Sequence, residues 1–230
     1  MEYDTKVANF CEKKIYPNQP EYINAFSALF LCYISIHNLT KDISSTPQTK
    51  SKQSKTKQSK TKQIINWCIF TNGISSFLYH WYNWYIFKMA DEFTMIIPIW
   101  LGITYIIYNL NYHSIYIGIF TIYNMLLITL EPFMWFDKYF PVCFGIELFL
   151  IFPLYIQTIT TSKYKNIRNH SNHSNQGLKG IIVIASSATC WIITETHCNK
   201  YLIFGHAIWH IGMGTGMTYI INFFNYKIRT

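Results

Sequence analysis

Three histidines, a serine and an aspartate in this sequence have the types and spacings that metal-assisted chemistry needs. His206 and His210 are four residues apart, so on a helix they share one face, one above the other. Ser76 and His80 repeat that spacing, and the acidic pair Asp91-Glu92 follows shortly after. Three imidazoles suit zinc, which takes borderline-soft nitrogen ligands and leaves a fourth position to water. Such a water ionises near a pKa of roughly 7 instead of 15.7. Asp91 beside it could accept the proton, and the Ser76 hydroxyl could bond the water or a developing oxyanion. Taken singly, each residue has a plainer role: a histidine that packs and hydrogen-bonds, or a serine bonded back to its own helix.

The background composition says what must hold these groups. Of 230 residues only 13% are charged, whereas soluble domains carry about 25%. Half are apolar and 18% aromatic, which excludes a disordered chain. Six cysteines are too few for a disulfide-dense secreted scaffold. A net charge of +8 would suit nucleic acid, but the charges sit in short stretches between long apolar runs. That is the pattern of a polytopic membrane protein, with no nucleic-acid partner.

Apolar runs recur at about 22–38, 64–86, 92–110, 113–130, 139–160, 178–195 and 201–224. Each can cross about 30 Å of hydrocarbon as a helix, and the strict alternation of a β-barrel is missing. The predicted fold is therefore all-α, a seven-transmembrane helix bundle. Residues 1–21 form an N-terminal segment whose acidic start, Met1-Glu2-Tyr3-Asp4, does not look like a secretory leader. Residues 22–230 form the transmembrane domain. An insert at 41–63, with Lys-Gln-Ser-Lys-Thr repeated at 52–56 and 57–61, is expected to be disordered. The Asn-His-Ser repeat around His170 and His173 reads as a second solvated loop.

Charge then orients the chain. Six cations (Lys6, Lys13, Lys14, Lys88, Lys138, Lys200) fall on the N-terminal side of seven spans, and the other thirteen fall opposite. The positive-inside rule makes the richer side cytosolic, so the N-terminus is lumenal and the C-terminus cytosolic. Sequons at Asn38, Asn169 and Asn172 all lie on the cytosolic side; a glycan on any of them would reverse the assignment. In this topology the end of span two, the head of span three and the start of span seven meet near the lumenal surface. His80, Asp91, His206 and His210 can then converge with Ser76, and ionisable groups inside a membrane need such a partner or task.

These segments resemble the alkaline ceramidase family, seven-helix intramembrane hydrolases related to the progestin and adiponectin receptors. Gly73-Ile74-Ser75-Ser76, His80 and Asp91-Glu92 match the family's G-x-G-S-x-x-x-H and following D-E, with Ser75 for the second Gly. Gly205-His206-Ala207-Ile208-Trp209-His210 resembles its terminal H-x-W-W-H, with Ile208 for one Trp. Asn9-Phe10-Cys11-Glu12 resembles its D-W-C-E, and Glu21 to Ser27 its E-F-W-N-T-x-S. The resemblance implies zinc on His80, His206 and His210, with Ser76 and Asp91 catalytic.

It further implies a calcium site at Asn9, Phe10, Glu12, Lys14 and Glu21. Here Asn9 lacks a charge and Lys14 brings a cation where an amide oxygen is expected. A polar lumenal strap closed by a Lys14–carboxylate pair is the other reading. The segment Trp191 to Thr194 resembles one that carries Asp at the Thr194 position. Cys11 and Cys198 are the only cysteines in lumenal segments, which predicts a bridge between them, with two free thiols as the alternative. Gly212 and Gly216 read as a close helix-packing stripe. Glu147, inside span five, either pairs with a polar neighbour or faces the cavity.

The expected activity is zinc-dependent hydrolysis of ceramide, or a related sphingolipid amide, to sphingoid base and fatty acid. A multi-pass protein of the endoplasmic reticulum or Golgi would take that lipid substrate directly from the membrane. A receptor-like or catalytically weakened member of the superfamily, or a hydrolase remodelling lipid-anchor acyl chains, is the alternative.

Overall fold

The computed structural model describes residues 10–44, 52–109, 114–133, 136, 139–160 and 171–229. Among these there are eight helices and no strands: α1 Cys11–Ile15, α2 Tyr22–Ser44, α3 Lys52–Tyr82, α4 Tyr85–Asn109, α5 Ser114–Leu130, α6 Phe140–Thr160, α7 Ser171–Thr196 and α8 Gly205–Arg229. The all-α reading holds. Four helices are long and apolar enough to cross a membrane: α2 over Tyr22–Lys41, α4 over Tyr85–Tyr108, α6 over Phe140–Thr160 and α7 over Asn175–Thr196. α5 is apolar but shorter. The sequences of α3 and α8 carry Asn72, Ser75, Ser76 and His80, and His206 and His210, and this polar load lowers their hydropathy. Phe149, Val142, Ile122 and Tyr108 are more than 60% exposed, a surface suited to lipid.

The insert differs from expectation. Helix α2 runs on to Ser44 and α3 begins at Lys52, so most of 41–63 is helical backbone, and only 45–51 lie outside the described residues. Lys and Gln are good helix formers, and 52–63 contains neither Gly nor Pro. Once residues 64–82 are held as a helix by packing, extending it backwards adds one hydrogen bond per residue without a new nucleus. Composition there speaks against burial and is silent on backbone conformation.

α2, α3, α4, α6, α7 and α8 pack in sequence around a ring, with α5 against α4. α8 touches α7, α2, α3 and α4, so its side chains are central. Small residues permit this. A Cβ on Gly212 would collide with the Ser187 side chain of α7, and one on Gly216 with Ile184 and the Gly180 carbonyl. The Asn38 sequon is occupied from within, since its Nδ2 donates to Asn66 Oδ1 (3.3 Å) and Thr218 Oγ1 (2.9 Å). That amide, only 8% exposed, is closed to a glycan in either orientation. Asn169 lies outside the described residues, as does the side chain of Asn172.

Asn83 ends α3 with φ 55°, a left-handed conformation that Asn tolerates, and its N–H donates to the Tyr79 carbonyl. The chain turns at once into α4, which brings Asp91 back beside Ser76.

Candidate metal centre

His80, His206 and His210 are buried, each 5% exposed or less, and each offers a ring nitrogen within 4.8 Å of the other two. Their ring centroids are 4.7 to 5.3 Å apart. Hydrogen bonds decide which nitrogens face inward. His80 Nδ1 donates to Glu21 Oε2 at 2.7 Å, which leaves Nε2 as the lone-pair atom. That Nε2 is buried, with no hydrogen-bond partner among the described residues. Ser27 Oγ spends its proton on the Asn24 carbonyl (2.8 Å), so it accepts from His210 Nδ1 (2.8 Å). His210 Nε2 is then the unprotonated atom, and it faces Ser76 Oγ at 3.3 Å. His206 Nδ1 also lacks a hydrogen-bond partner.

Buried imidazole nitrogens without partners are costly unless something binds them. The orientation of ligand rings by carboxylate or hydroxyl on their far nitrogens is how proteins build metal sites. The group can hold a metal ion, and its donor set fits zinc.

Ser76, Asp91, His206 and His210 line one cavity of about 170 Å3. His80 is not in that lining; its ring stands 4.8 Å from that of His206 and 5.3 Å from that of His210. Phe10, Tyr79, Phe144, Trp191 and Trp209 supply its apolar wall. The Phe10 ring lies 4.1 Å from the His206 ring and 5.2 Å from that of His80, so the N-terminal strap is packed directly on the histidines. Ser76 reaches the Asp91 carboxylate as well as His210. Glu92 turns to Lys88 instead, at 2.8 Å, with Glu131 3.9 Å from the same ammonium.

A whole-chain match decides the family. The family model described as Ceramidase matches residues 2–229. The chain belongs to the ceramidase family. Comparison with curated proteins yields no significant match. Membership in the ceramidase family implies a hydrolase and a lipid substrate, and the apolar helices point to a membrane protein.

The strap positions for which the sequence resemblance implies calcium make other contacts within the chain. Asn9 lies outside the described residues. The Phe10 carbonyl accepts from Lys14 N–H within α1. Both Glu12 carboxylate oxygens accept first-turn amides of α2, from Ile23 (2.8 Å) and Asn24 (3.0 Å). Burial pushes the Glu12 carboxyl above its ordinary range, and those two amides pull the other way. Glu21 Oε2 accepts from His80 and from Asn24 Nδ2, and Oε1 from Asn83 Nδ2. Lys14 pairs with Glu195 at 3.6 Å. The described strap oxygens thus already accept hydrogen bonds, and the Lys14 ammonium brings a positive charge to the strap.

Cys11 and Cys198 form a disulfide, their Cα atoms 5.3 Å apart. Glu195 accepts the Cys11 N–H (2.9 Å) and pairs with Lys14, so the strap is held to the end of α7 and, through the bridge, to the loop that follows it. Thr194 Oγ1 donates to the Leu202 carbonyl (2.8 Å), a loop contact where a family Asp would project. Glu147 is fully buried in α6, has no hydrogen-bond partner for either oxygen among the described residues and does not line the cavity.

Glu21 and Ser27 escaped the reading of sequence as imidazole partners, and Asn72 escaped it altogether. Glu21 was recognisable only as a calcium position. Ser27 lies three residues before Phe30 on an apolar helix, with nothing local to mark it.

Proposed function

We propose that this ceramidase-family protein is a zinc-dependent amidase that cleaves ceramide, or a close sphingolipid amide, within a seven-helix membrane bundle. The observation that carries the reading is the trio of buried imidazoles whose nitrogens converge within 4.8 Å, two of them lining one apolar-walled cavity with Ser76 and Asp91. A zinc ion held by His80, His206 and His210 would lower the pKa of water and polarise the amide carbonyl.

The remaining steps belong to the chain. Asp91 accepts a proton from the attacking water and later delivers it to the leaving nitrogen, so the C–N bond breaks with the amine neutral. Ser76 Oγ–H donates to the carbonyl oxygen as negative charge builds on it. Glu21 and Ser27 hold the rings of His80 and His210 in the orientation that ligation needs. Phe10, Trp191 and Trp209 keep bulk water out of the cavity.

The scissile amide of such a lipid lies near the headgroup boundary, so a centre just below one membrane surface can meet it with both tails still in the bilayer. The excess of cations on the opposite face supports a lumenal N-terminus. The Cys11–Cys198 bridge, which needs an oxidising compartment, supports the same orientation and a place in the endoplasmic reticulum or Golgi.

Purified protein should carry about one zinc per chain and release fatty acid from labelled ceramide. Stoichiometric metal without any release, under conditions that keep the protein folded, would replace the amidase reading with a receptor-like one.

Calcium should not matter. A calcium site filled tenfold above its Kd would raise the unfolding midpoint of a chain this size by roughly 3 °C. Thermal scans in detergent with and without millimolar calcium are expected to superimpose, because the α2 amides and the His80, Asn24 and Asn83 side chains already engage the Glu12 and Glu21 carboxylates.

A further inference from the structure

Asn72 sits one turn before Ser76 and two before His80 on the same face of α3. It is buried, 9% exposed, and lines the cavity. Its Nδ2 lies 2.9 Å from Asp91 Oδ1, 3.1 Å from the Asp91 main-chain carbonyl and 3.1 Å from Thr94 Oγ1. A buried amide in a membrane helix is expensive unless its hydrogen bonds are met, and here the donor end is met entirely by the turn of α4 that carries Asp91.

We propose that Asn72 is a positioning residue that fixes the Asp91 carboxylate for proton transfer during amide hydrolysis. The orientation of its amide is dictated by the neighbours. A main-chain carbonyl can only accept, so the nitrogen of Asn72 must face α4. Asp91 Oδ1 is thereby committed as an acceptor from N–H. The proton taken from water is carried on Oδ2, and the same proton passes to the departing nitrogen. By holding both the backbone and the side chain of Asp91, one amide sets the position and the rotation of the carboxylate. Free rotation would let the proton settle on either oxygen and lengthen the transfer. Ser76 and His80 project from the same helix face, so the groups that meet the carbonyl and those that meet the proton share one rigid frame.

The inference rests on the amidase reading, and its test keeps the two apart. Full-length wild type, Asn72→Ala and Asn72→Asp would be assayed on labelled ceramide, with zinc content and unfolding midpoint measured on the same samples. Misplacing a proton-transfer group should lower kcat by about 10- to 100-fold. KM should stay within about twofold and zinc content should not change, since the bonds of the Asn72 amide go to Asp91 and Thr94 and not to the imidazoles. Asn72→Asp keeps the volume but puts an acceptor opposite two acceptors, so it should lose as much and serves if the alanine variant misfolds. A folded, zinc-loaded variant that keeps more than half the wild-type kcat overturns the proposal. So does a loss expressed in KM or in zinc content. Inactivity of zinc-loaded wild type would sink the amidase reading, and this role with it.

Discussion

His80→Ala protein should lose bound zinc and, with it, all measurable ceramide hydrolysis. The ring contributes one of three nitrogens to the centre, and nothing beside it can substitute, because the nearest polar group, Glu21, is engaged by Asn83 and Asn24. Without the ion, water returns to a pKa near 15.7, and about eight orders of magnitude of hydroxide at neutral pH are forfeited. Glu21→Gln should be milder. It weakens the support on His80 Nδ1 and is expected to reduce zinc affinity by about 10- to 100-fold, so that added zinc restores activity. Metal analysis of the two variants side by side separates ligand from support. A zinc-replete, active His80→Ala protein would rule out the three-imidazole centre.

Asp91→Asn should retain zinc and the fold yet lose about 10²- to 10⁴-fold in kcat. The change is isosteric, and Asp91 is not among the three ligating rings. What disappears is the ability to take a proton. Its neighbour supplies the contrast: Glu92→Gln removes a second, partly buried acid of the same cavity, whose carboxylate is bonded to Lys88 at 2.8 Å. That variant should keep its turnover number to within about tenfold, whatever it costs in stability. Equal losses from the two acids would show that the cavity needs charge in general, not one proton carrier.

How far these expectations were legible depended on whether the chemistry ran along the chain or across it. The pairs Ser76/His80 and His206/His210 announce a helix face by spacing alone, and the apolar runs placed seven long helices to within a few residues at most ends. Contacts between separate helices left no such trace. Glu21 meets His80 over 59 positions of sequence, and Ser27 meets His210 over 183. Asn72 reads as one more polar residue in a glycine- and serine-containing turn until α4 folds back on it. The helical start of α3 is hidden for the opposite reason, since its composition is informative about burial and silent about backbone. Four helices satisfy the length and hydropathy expected of a span, and the two that carry the imidazoles do not, because a polar centre and a greasy helix make conflicting demands on the same residues.

The bridge between Cys11 and Cys198 spans 187 positions. It turns the chain from the strap to the loop before α8 into a covalent ring containing α2 to α7. A protease that nicks any one of the intervening loops therefore opens the ring without releasing a piece. The two fragments should migrate together on a gel until a thiol reagent is added. Within the bilayer, the same closure keeps Phe10 tethered over the histidines after such a cut.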